Sequence, residues 1–146
     1  EPTERQRLLE GAIGEFENAR SNATTVFAGL PAAQYAYALI NLATLKAEGS
    51  AVAKTPEIRC AQSMLLTSRE YAVREQRTVD IQLCDALIAL LALKSESPLT
   101  GATVQDLARC KLALVQSNRM DFVAEFELER HLEAAVYKLG SQRGQS

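Results

Sequence analysis

At 146 residues and 47% hydrophobic content the chain is long enough for one domain with a substantial core; a globule of this size buries roughly 70% of the surface its unfolded chain exposes. The charged fraction of 23% balances to a net charge of −2, which excludes the basic excess of a nucleic-acid-binding protein and the acidity of a solvating tail. The longest apolar run, residues 86–93, has eight residues against the roughly 20 a helix needs to cross a bilayer, which excludes a transmembrane span.

The chain begins at Glu1 rather than Met, as a processed form does, so compartment is not readable from this end. Trp is absent and aromatic residues are four Tyr and four Phe, so the expected core is aliphatic and alanine-rich. Cys60, Cys84 and Cys110 form no CxxC pair and read as buried small hydrophobes, with one disulfide in an oxidising compartment as the alternative.

Thr3 followed by Gln6 reads as a capping box, and Leu9, Ala12, Ile13, Phe16, Ala19, Ala23, Val26 and Phe27 then recur at helical spacing. This predicts a first helix over residues 3–27, weakened by Gly11, Gly14, Asn18 and Asn22. Asn22-Ala23-Thr24 has the form of a glycosylation sequon and nothing more. Gly29 and Pro31 end that helix and open a second over residues 31–48, stopped by Gly49, with Tyr35, Leu39, Leu42 and Leu45 on one face.

Thr55-Pro56-Glu57 is the strongest start signal: an N-cap hydroxyl, proline in the first turn and a carboxylate facing the positive end of the helix dipole. Between Pro56 and Pro98 lie 41 residues without proline or glycine, and between Gly101 and Gly140 another 38; runs of that length predict helix. Residues 69–80 are mostly polar and residues 81–93 nearly all apolar, while Thr78 and Asp80 offer a cap for a fresh helix. Residues 95–101 read as a turn, Thr103 with Asp106 as the cap of a last helix over residues 103–139, and residues 141–146, lacking any apolar side chain, as a disordered tail beyond a single 1–140 domain.

Residues 101–140, in which Gly101 and the Asp106-Leu107 pair precede an alanine- and arginine-dotted stretch ending in Leu139-Gly140, resemble the second long helix of outer-membrane efflux proteins. The likeness spans 40 of 146 residues, and the membrane strands and internal duplication of that family have no counterpart in this sequence. It implies one long helix here.

Helices of some 37 residues would extend ~55 Å, while the first two would reach only ~27–38 Å. Short connections then leave residues 81–93 uncovered, with seven large aliphatic side chains at ~1.5–3 kcal/mol each. Either the third helix breaks near Arg77-Thr78 and folds back, the favoured solution, or Ile81, Leu87, Ile88, Leu90 and Leu91 bind a second copy or a protein partner. The expected fold class is therefore all-α, an antiparallel bundle of four helices, or five with the break.

No catalytic, metal or cofactor motif is present. His131 is the single histidine; projected along a continuous helix it and Glu127 point away from the stripe of Val104, Leu107, Val115, Phe122 and Val136, as a solvated pair would. Leu128 stands where the Glu-x-x-His pattern of di-iron bundles needs a carboxylate. Lys111, Asn118, Glu125 and Glu129 project onto the apolar side of the last helix, where they would need partners. Arg69, Arg74 and Arg77 are the candidates, giving a polar seam between the third and fourth helices that reads either as structural salt bridges or as a small-anion pocket. The leading expectation is a non-enzymatic binding, adaptor or assembly protein working through protein contacts or homo-oligomerisation; the alternative is a helical enzyme or anion-binding bundle using that seam.

Overall fold

The computed structural model describes residues 3–47 and 49–144. Its elements are α1 (Glu4–Ser21), α2 (Leu30–Lys46), a 3-10 turn (Gly49–Lys54), α3 (Pro56–Arg74), α4 (Thr78–Ser95), α5 (Gly101–Gln116), α6 (Met120–Glu125) and α7 (Leu128–Gly144). The protein is all-helical, with no strand among the described residues, and none of these helices is long and apolar enough to cross a membrane. Seven α-helices replace the expected four or five because both long runs are interrupted by helix ends that need no glycine.

The third helix does break. Gln76 takes a positive φ of 56°, the Arg77 N–H donates to the Ala72 carbonyl at 2.9 Å and the Gln76 N–H to Val73 at 3.2 Å. These two bonds satisfy the last orphan carbonyls of α3 in a Schellman motif. α4 then starts at Thr78, although Arg77 occupies the cap position and no side chain caps it, so the expected role of Thr78 and Asp80 is not realised.

Folding back buries α4. Leu83, Cys84, Ala86, Leu87, Ala89, Leu90, Leu91 and Leu93 are all buried, as a helix apolar on every side must be. Its neighbours are α2, α3, α5 and the 3-10 turn. The expected interface is thereby corrected: Leu87, Leu90 and Leu91 are core residues, and Ile81 and Ile88 are half-buried against their own chain. α2 supplies the other central surface through Ala32, Ala33, Ala36 and Ala43, whose small side chains let α1, α3 and α4 approach closely.

α1 contributes no buried residue and packs on α2 through side chains such as Phe16, whose ring stacks on Tyr35 at 5.7 Å. Its Thr3 cap forms as expected, accepting from the Gln6 N–H at 3.1 Å, but the helix ends at Ser21, six residues before the predicted 27. Thr55 likewise accepts from the Ile58 N–H at 3.3 Å.

The expected single helix 103–139 is three helices. Thr100, not Thr103, caps the first. At its end Asn118 takes φ 61°, with Arg119 N–H to Leu114 and Asn118 N–H to Val115, both 2.9 Å, a second Schellman motif. Glu127, φ 50°, separates α6 from α7. Gly140 does not stop α7, which runs on through residues 141–144, where Gln142 Nε2 donates to the Leu99 carbonyl at 2.8 Å. The disordered tail is corrected to that extent; residues 145 and 146 lie outside the described residues. All three cysteines are free, Cys84 buried and Cys60 and Cys110 half-buried.

Candidate functional site

Two interruptions reset the helical phase between α5 and α7, and this moves every residue placed by projecting one continuous helix. His131 is 2% exposed rather than solvated, while Val136, expected in the core stripe, is 59% exposed. The polar seam does not assemble. Arg69 pairs with Asp85 of α4 at 2.5 Å, Arg74 with Glu70 at 3.9 Å and Arg77 with Asp80 at 3.8 Å. Lys111 and Glu129 do meet, as an ion pair joining α5 to α7. Glu125 accepts from Gln34 Nε2 at 2.6 Å, and Asn118 is a helix-ending residue. None of these groups is the buried unpaired charge that such a seam would satisfy.

The chemistry gathers elsewhere. A half-open cleft of about 260 Å³ lies where the ends of α2 and α4, the 3-10 turn and the middle of α7 meet, lined by Thr44, Ala47, Val52, Leu93, Lys94, Leu99, His131, Ala134, Ala135 and Lys138. Glu125, Glu129 and Arg74 are not among its walls. Lys94 stands in the last turn of α4, where the helix dipole favours a cation. Lys138 enters from α7, and among the described residues no carboxylate pairs with either ammonium. Burial pushes the Lys94 ammonium below its ordinary pKa, helped by the positive charges of Arg130, Lys138 and Arg5.

His131 closes the floor. Its Nε2 lies 2.9 Å from the Tyr37 hydroxyl, and its Nδ1 is buried without a hydrogen-bond partner. Burial, Lys94 and Arg130 lower its pKa to about 4, Glu127 offsetting only part of this, so the imidazole is neutral at neutral pH. Thr44 turns its hydroxyl onto its own helix, donating to the Ile40 carbonyl at 2.9 Å. The cleft thus offers positive charge, apolar walls and a hydrogen-bonded neutral histidine. Among the described residues its walls include no carboxylate, so what they offer a ligand is positive charge and apolar surface. Among the described residues no three His, Cys, Asp or Glu side chains converge to hold a metal ion.

Nothing in the sequence singles out Lys94, Lys138 or Tyr37. A lysine closing an otherwise apolar helix, and a lone histidine one turn into a helix, carry no distinguishing pattern until the fold brings them together. No protein-family model matches the chain, and no curated protein and no solved structure is similar to it.

Proposed function

We propose that the protein is a non-enzymatic binding protein, an all-α bundle whose cleft between α4 and α7 takes a small anion. The observation that carries this reading is the meeting of Lys94 and Lys138 at one apolar cleft with no carboxylate partner among the described residues. The Lys94 ammonium, half-buried near the exposed Lys138, loses part of its solvation and suffers repulsion. A bound anion removes both penalties, and an empty site leaves them standing. Titration calorimetry at low salt with simple anions tests it: Lys138→Met and Lys94→Met should each abolish binding, and added salt should weaken it by screening.

We read the bundle as antiparallel, and three contacts of its last helices support that reading. Lys111 of α5 meets Glu129, Gly101 lies near Leu139, and Leu99 meets Gln142; partner numbers fall on one side of the contact as they rise on the other.

A second reading, assembly through protein contacts, keeps one supporting observation on residues other than 81–93. Leu66 and Val73 of α3, seven residues apart on one face, are 53% and 48% exposed. Light scattering of wild type against a Leu66→Asp, Val73→Asp variant tests it, since a monomer in both at high concentration removes that reading.

A further inference from the structure

The proposed anion site also carries a preference among anions, and that preference rests on the anion-binding reading. We infer that the ligand is a monocarboxylic acid with a short apolar body, its carboxylate between Lys94 and Lys138 and its body against Val52, Leu93, Leu99 and Ala135. Three features of the cleft lead there. Most of its wall is aliphatic, from the 3-10 turn, α4, the α4–α5 loop and α7, so an inorganic ion would leave that surface without a partner while an amphiphilic acid covers it. The volume of about 260 Å³ lies below the ~300 Å³ at which drug-sized ligand sites begin, which limits the body to a few carbons or one ring.

Hydrogen-bonding groups supply the third argument. α2 ends at Lys46 and α4 at Ser95, and both ends border the cleft through Thr44, Ala47, Leu93 and Lys94. Helix C-termini present carbonyl oxygens rather than N–H groups, so neither helix end offers a phosphate a hydrogen bond. Phosphate sites are also typically built from arginine forks and backbone N–H groups at helix N-termini. Among the described residues no arginine lines this cleft.

The test is calorimetric titration of the full chain at neutral pH and low salt with hexanoate, with 1-hexanol as the uncharged control and inorganic phosphate as the bodiless anion. Hexanoate should bind, hexanol and phosphate should bind at least about tenfold more weakly, and Lys94→Met or Lys138→Met should each weaken hexanoate at least about tenfold, the loss expected of one charged hydrogen-bonding contact. Met keeps the lysine stem, and circular dichroism melting of each variant checks that it folds; Lys94→Met should melt no lower than wild type because it removes a charge from a half-buried position beside other positive charge. Phosphate binding in a lysine-dependent manner without hexanoate binding would overturn the ligand class and leave the anion reading intact. Hexanoate binding that ignores both substitutions, or that hexanol matches, overturns this site for the acid. Failure of hexanoate and phosphate alike overturns both.

Discussion

The Tyr37 hydroxyl and the His131 Nε2 atom, 94 residues apart in sequence, stand 2.9 Å from one another and tie α2 to α7. Their rings meet edge to face at 5.8 Å, and Tyr37 makes the same kind of contact with Phe126 at 5.3 Å. Of these three rings, that of His131 lines the cleft. Burial and the cations Lys94 and Arg130 all disfavour an imidazolium at His131.

Stability should therefore fall in mild acid. The folded His131 pKa of about 4 lies below the ordinary value of 6.5, so between those pH values the unfolded chain binds the proton and the folded chain does not. The stabilisation is complete above 6.5 and is lost progressively as pH falls toward 4, by on the order of 3 kcal/mol at most. Urea unfolding at about pH 7 and about pH 5 should show this loss in wild type and a much smaller one in His131→Phe. Equal losses in the two proteins would contradict the assignment.

Tyr37→Phe should destabilise the protein by ~1–3 kcal/mol. The substitution keeps the ring against Phe126 but leaves Nε2 without its partner, in an imidazole whose Nδ1 already has none. Denaturant midpoints compared at constant m-value give the number, and an unchanged midpoint means that the bond is absent in solution.

Leu87 and Arg69 separate what holds the bundle from what decorates it. Leu87 is fully buried in α4, so Leu87→Ala should cost ~2–5 kcal/mol and Leu87→Glu should unfold the chain rather than split an oligomer. Arg69 binds Asp85 at 2.5 Å, but both side chains remain about two-fifths exposed, so Arg69→Ala should cost less than ~1 kcal/mol. Chemical denaturation with light scattering on the same samples checks both.

How far the sequence reveals this fold depends on which physics governs each element. The starts of α1 and α3 are legible because Thr3 and Thr55 act locally, each capping a backbone N–H three residues on. The fold-back of α4 follows from the need to shelter residues 81–93, a demand any solution must meet. The site is not legible. Projecting the phase of His131 from α5 across Asn118 and Glu127 misplaces it, and Lys94 and Lys138 come together only once the fold brings the end of α4 and the middle of α7 to one cleft. Pairing Arg69, Arg74 and Arg77 with Glu125 and Glu129 fails for the same reason, since Arg69 finds Asp85 on α4 and the other two find partners within a few residues.

The three interruptions of the long runs share one cause, and it makes a prediction. Gln76, Asn118 and Glu127 end their helices with φ of 56°, 61° and 50°, a conformation that glycine enters freely and that costs other L-residues ~1–2 kcal/mol. A search for glycine stops passes over all three. Gln76→Gly should therefore stabilise the protein, by ~0.5–1 kcal/mol once the greater freedom of glycine in the unfolded chain is subtracted. Asn118→Gly should gain less, because asparagine tolerates the left-handed region better than glutamine does. The ordering matters more than either value: thermal melts ranking Gln76→Gly above Asn118→Gly above wild type fit helices stopped by strained residues. If Gln76→Gly lowered the melting temperature instead, α3 and α4 would not part at Gln76 in this way, and the burial of α4 would need another explanation.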